Sequence, residues 1–103
     1  MYKLAFFAPE DAVETVKTAV FATGAGRIGD YEQCCFETSG QGQFRPLAGA
    51  DPHIGAVGDL ERVAETKVEL VCEDDTIRDA IAALRASHPY EEPAYEVWRL
   101  EDF

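Results

Sequence analysis

His88-Pro89-Tyr90-Glu91-Glu92-Pro93-Ala94-Tyr95 brings one imidazole, two carboxylates and two phenols into eight positions. Imidazole and carboxylate together suit zinc or a similar divalent metal, and Pro89 and Pro93 stiffen the backbone that carries them. His88, Glu91 and Glu92 are therefore candidate metal ligands. In an extended chain Glu91 and Glu92 face opposite ways, so such a set calls for ligands from a second copy. His88 and Glu92 each precede a proline, which restricts them to extended or turn conformations. The alternative is structural. His88 then closes a helix with its imidazole on the last carbonyls, Tyr90 and Tyr95 pack, and one glutamate accepts hydrogen bonds from the glycine-rich segment.

Other residues carry fainter chemistry. Cys34 and Cys35 alternate in side on a strand, so they cannot easily share a metal or form an unstrained disulfide. Cys34 is retained as a further candidate ligand, while Cys72 reads as core. A catalytic thiol would need a neighbouring histidine to lower its pKa. Arg27 lies among Gly24, Gly26 and Gly29, where backbone N–H groups can form an anion nest. Gly24-Ala25-Gly26-Arg27-Ile28-Gly29 spells a dinucleotide fingerprint, but it follows a helix and precedes a strand, the reverse of the order that fingerprint needs. Arg45 and His53 flank a long loop, and with Arg27 and Tyr90 they are the candidate ligand-binding residues. No lysine-bearing phosphate loop is present.

The elements that must position these residues follow from periodicity. Residues 2–8 alternate as a strand. Pro9, Glu10, Asp11 and Glu14 suit a helix start, Val13, Val16 and Val20 give it one apolar face, and Gly24 stops it. All 8 glycines fall between residues 24 and 58, the clearest compositional shift in the chain. Within that region, residues 30–38 read as a strand, Gly40 and Gly42 as a turn or bulge, and 43–46 as a short returning strand. Residues 47–62 read as a long loop, and 63–73 as a strand with Val68, Leu70 and Cys72 inward. Asp74, Asp75 and Thr76 offer an N-cap to a helix with Ile77, Ala80, Ile81 and Leu84 on one face. A last strand covers 95–100. The order β-α-β-β-α-β predicts a ferredoxin-like α+β fold, an antiparallel sheet with two helices on one face. The whole chain, residues 1–103, reads as one domain with a glycine-rich insertion over 24–62. Phe7, Phe36 and Trp98 are left for the other sheet face, which predicts association through that face or an edge strand.

The chain carries 9 basic against 20 acidic residues, a formal charge of −11. Residues 51–103 hold 14 acids and 5 bases, residues 1–50 only 6 and 4. That balance argues against nucleic-acid and anionic-membrane partners. No stretch approaches the ~18–20 apolar residues of a membrane span, and no signal-peptide core is visible, so a cytoplasmic location is expected. Three cysteines do not make a disulfide framework.

Three segments, in order, carry a resemblance: Gly24 to Phe36; Gly40 to Pro46 with Pro52-His53-Ile54-Gly55; and His88 to Tyr95. Together they resemble the inserted domain of the NGG-interacting-factor-three-like proteins, also called YqfO-like or type 2 GTP cyclohydrolase I. That insert is similar in fold to the CutA and PII signalling proteins, which are trimers. The resemblance implies a stand-alone version of the insert, a PII/CutA-like fold and a homo-oligomer, with a trimer favoured. It also implies that Arg45 and His53 can meet an anion, as loops of PII-like proteins meet nucleotides. The family's two-metal site belongs to flanking halves absent here, so no catalytic residue is carried over.

The expected function is a non-enzymatic module that binds a small ligand or a divalent metal and reports it to a protein partner. The alternatives are a ligand-free oligomerisation module and a metal-dependent hydrolase whose site is shared between subunits.

Overall fold

Two strands carry the core. In β1 (Tyr2–Pro9) and β3 (Glu61–Cys72) every second residue is buried on one side, namely Leu4, Phe6 and Ala8 with Val68, Leu70 and Cys72. They pair antiparallel, so Leu4 faces Leu70 and Phe6 faces Val68. The computed structural model describes residues 1–103. Its order is β1, α1 (Val13–Phe21), β2 (Phe36–Phe44), β3, α2 (Ile77–Ser87) and β4 (Tyr95–Arg99). The four antiparallel strands lie in the order β2-β3-β1-β4. This is the ferredoxin-like α+β arrangement that the periodicity predicts.

Both helices close one face of the sheet. Val13, Val16 and Val20 of α1 and Ile77, Ala80 and Leu84 of α2 join the strand residues in one buried cluster. Gly24, at φ +100°, ends the α1 segment as expected, because a left-handed residue there favours glycine. The α2 start differs from expectation. Thr76 occupies the N-cap, but its hydroxyl donates to Asp75 Oδ1 at 3.0 Å and no side chain caps the helix. Pro9 also differs: it ends β1 opposite Glu65 rather than opening α1.

The largest correction concerns the glycine-rich segment. Residues 30–35 are not a strand. A tight turn joins Ile28 and Tyr31 by two backbone hydrogen bonds, at 2.9 and 3.0 Å, with Gly29 and Gln33 at positive φ. Gly40 and Gly42, expected to turn the chain, lie inside the continuous strand β2. Of the returning strand expected at 43–46, Gln43 and Phe44 are the far end of β2, paired with the start of β3 through Phe44 opposite Glu61, and Arg45 and Pro46 lie beyond it. The β2–β3 ribbon therefore runs past the end of β1, where pairing stops at Pro9 and Glu65. The chain between β2 and β3 folds back over that end.

The other sheet face has no helix. Register places Phe7, Glu65, Lys67, Glu69, Phe36 and Trp98 there, opposite in sense to the buried set. Phe36 is 68% exposed and Trp98 45%, which leaves apolar surface on that face uncovered within one chain.

Candidate functional site

Beyond the end of β1, three segments enclose a cleft of about 430 Å³. Phe7 of β1 and Glu65 of β3 supply one part of the wall, and Gln43 and Phe44 close β2 above them. Arg45 to Ile54 form a second wall, and Tyr90, Glu91, Glu92 and Ala94 form the third. That size falls within the range of small-molecule sites, and the mix of aromatic walls with a few polar groups is typical of them.

Tyr90 is the hub. Its ring centroid lies 5.9 Å from that of Phe44, 6.2 Å from His53 and 4.9 Å from His88, all tilted. Tilted aromatic pairs at such distances stabilise each other beyond the area they bury. The Tyr90 hydroxyl donates to Glu65 Oε2 at 3.1 Å. Burial, and then the Glu65 charge, push the phenol well above its ordinary pKa, so Tyr90 stays a neutral donor.

Glu65 reaches Tyr90 because Gly42 lacks a side chain. A Cβ on Gly42 would overlap the Glu65 carboxyl group. This accounts for a glycine in mid-strand without positive φ, since the close approach of a neighbour requires it.

His88 holds the linker to the sheet. Its Nε2 lies 2.7 Å from the Phe7 carbonyl oxygen, and its Nδ1 accepts the Tyr90 backbone N–H at 3.1 Å. A carbonyl only accepts and an N–H only donates, so the ring is neutral with its proton on Nε2. Burial holds its pKa below the usual imidazole value, against the opposing influence of the Phe7 carbonyl and Glu65. The imidazole therefore does not sit on the last carbonyls of α2; the backbone N–H of His88 closes the helix on Leu84 O at 3.0 Å. Both ring nitrogens are engaged, and a metal at His88 would have to break one of these bonds.

The remaining candidates separate into two groups. Glu91, Glu92, Arg45, His53 and Tyr90 all line the cleft. Glu91 Oε1 accepts the Asp51 N–H at 2.9 Å, tying the long loop to the linker, as the structural alternative for one glutamate anticipated. Tyr95 does not pack with Tyr90: it lies against the core beside α2, its hydroxyl 3.5 Å from Arg85. Arg27 and Cys34 belong elsewhere. Arg27 makes an exposed pair with Glu32 at 3.8 Å, and the Cys34 N–H donates to Gly26 O at 2.8 Å. The loop is no open anion nest, because the Gly26 and Ile28 N–H groups bond the Val71 and Tyr31 carbonyls. Neither histidine hydrogen-bonds a cysteine. Burial pushes the Cys35 and Cys72 thiols up, away from the thiolate form.

No three histidine, cysteine, aspartate or glutamate side chains converge on one point. The donors of a single chain thus do not fit a metal, and His88, Glu91, Glu92 and Cys34 are not gathered as one set. What the residues do form is a half-open cleft with aromatic walls and a carboxylate rim. Glu65, Gln43, Phe44 and Phe7 are among the lining residues that sequence reasoning missed. No local sequence signal marks Glu65, because Gly42 is seen to be mid-strand only once β2 pairs with β3.

No protein-family model matches the chain. It is 47% identical over 98 residues to the GTP cyclohydrolase 1 type 2 homolog of Mycobacterium tuberculosis, covering 95% of this chain and 26% of that protein. The homolog from Bacillus subtilis is 44% identical over 99 residues, again 26% of its length. The chain thus spans about a quarter of the length of these relatives. Among solved structures, a Bacillus cereus protein related to NIF3 matches with a TM-score of 0.83 at 38% identity, over 98% of this chain and 26% of that one. CutA1 from Pyrococcus horikoshii matches at TM-score 0.68 and 18% identity over 100% of this chain and 86% of its own, a likeness of fold alone. The periplasmic divalent cation tolerance protein CutA from Archaeoglobus fulgidus does so at 0.70 and 14%, over 100% and 87%. The chain is a homologue of one segment, about a quarter of the length, of the NIF3-related GTP cyclohydrolase 1 type 2 homologs, and it has the CutA-like fold.

Proposed function

We propose that this chain is a non-enzymatic module that binds a small organic ligand in the cleft around Tyr90. One observation carries the reading: strand ends, long loop and linker are tied together around a cavity whose walls hold aromatic rings and uncommitted polar groups. A segment with no role beyond turning the chain would not need the Tyr90–Glu65 and Asp51–Glu91 bonds to hold such a space open. Ligand-dependent ordering of the loop would then be read by a protein partner. The module works in the cytoplasm as a homo-oligomer, and the likeness to CutA and PII favours a trimer. The helix-free face with Phe36 and Trp98 is the surface on which copies meet.

A divalent cation is a second reading, supported by a structural neighbour named for divalent cation tolerance and by the carboxylates of the rim. It needs ligands from a second copy, since one chain does not gather three.

A thermal-shift panel of small aromatic compounds and divalent metals, run beside Tyr90→Ala, tests the proposal. A ligand at about 100 times its Kd adds ~2.7 kcal/mol to the folded state. Saturable stabilisation by an organic compound, absent in Tyr90→Ala, supports the cleft. Shifts with metals alone favour the second reading, and no shift with any compound overturns both.

A further inference from the structure

The cleft's polar lining has a sign. Glu65, Glu91 and Glu92 line it beside a single guanidinium, Arg45, and one imidazole, His53. None of these three carboxylates takes part in any ion pair of the chain, and neither does Arg45. Glu65 uses only Oε2, for the Tyr90 hydroxyl. Its Oε1 lies over Gly42 and accepts no hydrogen bond from the chain, and no buried side-chain polar atom is left unpartnered, so Oε1 is not fully buried. Glu91 likewise engages one oxygen, with Asp51 N–H. The wall therefore offers free acceptors in excess of free donors, next to the faces of Tyr90, Phe44 and Phe7. A chain of formal charge −11 adds a background field of the same sign.

Acceptors that stay unmet when a ligand excludes water destabilise the complex, and like charges brought into one cleft repel. Resting on the reading of the cleft as a ligand site, we infer that it selects flat aromatic ligands bearing N–H donors or a positive charge, and turns away carboxylated or phosphorylated ones. The ring stacks against Tyr90, and its N–H groups meet Glu65 Oε1 and the Glu92 carboxylate. Arg45, Glu91 and Glu92 are all exposed at the rim, and Glu65 is the one half-buried charge of the lining, so the sign of the inner wall is set by Glu65.

The test uses paired probes that share an aromatic ring and differ in charge on the isotope-labelled full chain, following the backbone amides of Gln43, Glu65 and Tyr90. The pairs are benzamidine against benzoate, and adenosine against ATP. The inference predicts that benzamidine and adenosine move these amides, with benzoate and ATP at least about tenfold weaker. Glu65→Gln and Glu92→Gln should each narrow the benzamidine–benzoate gap; Glu92 is exposed, so its variant keeps the test valid if Glu65→Gln unfolds. Benzoate or ATP binding as tightly at the same amides overturns the selectivity while leaving the cleft a binding site. Silence from all four probes also overturns it. The cleft reading itself falls only if the broader compound panel is silent as well.

Discussion

Gly42 and Glu65 explain each other, and the pair sets up a sharp substitution. Gly42→Ala places a methyl where the Glu65 carboxyl lies, and that carboxyl is the end of a flexible side chain that can swing away. An alanine in an extended strand is not strained, so the net change in stability should stay under about 1 kcal/mol. The Tyr90–Glu65 bond should nonetheless be lost, visible as a lowered phenol pKa in an ultraviolet titration of Tyr90 against a Tyr90→Phe control. An unmoved titration would mean that Glu65 does not hold the phenol. His88 sets a pH dependence. The folded ring resists protonation, whereas an unfolded imidazole takes up a proton near pH 6.5. The unfolded chain therefore binds the extra proton as pH falls below about 6.5, and stability drops at up to ~1.4 kcal/mol per pH unit until the folded ring also protonates. Above that window the contribution is complete. Urea unfolding of the wild type and of His88→Gln between pH 5 and 7 should show a shallower slope in the variant; parallel slopes would remove His88 as the cause.

At the scale of elements, the helices and the central strands were legible and the glycine-rich segment was not. Ile77, Ala80 and Leu84 announce α2 by spacing alone, and the structure buries all three. Leu84→Ala should destabilise by ~2–5 kcal/mol in chemical denaturation, a large share of the ~5–15 kcal/mol expected of a domain. A loss well below that range would place Leu84 outside the packed core. By contrast β2 is exposed on nearly every residue and holds Gly40 and Gly42, so neither alternation nor β-propensity marks it. It is a strand because β3 offers it a pairing edge along its full length, a tertiary cause that local patterns do not carry. The same reason hid half of the site. His88 to Tyr95 stood out by residue type, but Glu65, Phe44 and Phe7 enter it only through strand register. Arg27 and Cys34, the fainter candidates, lie apart from the cleft. The loop itself hangs on the Asp51–Glu91 bond. Glu91→Ala should speed hydrogen exchange across residues 45–60 while α2 and β1 keep their protection, and unchanged loop exchange would show that the tie is idle.

At the scale of the molecule, the chain is long, 46 × 24 × 24 Å, because the β2–β3 ribbon outruns the rest of the sheet. Its helix-free face shows Phe36 and Trp98 to solvent, and β2 and β4 have free edges. If copies meet on that face, Trp98→Glu should shift the species seen by analytical ultracentrifugation towards the monomer; an unchanged sedimentation coefficient would place the interface elsewhere. Because Phe7 and Glu65 lie on that same face and also line the cleft, ligand binding is followed at the cleft itself. The most direct measurement is amide chemical-shift mapping of the labelled chain against a mixed set of small aromatic fragments. Binding in the cleft gives saturable shifts confined to Gln43, Phe44, His53, Glu65 and Tyr90 to Glu92, lost in Tyr90→Ala while the core amides stay in place. Saturable shifts elsewhere, or none at all, would contradict it.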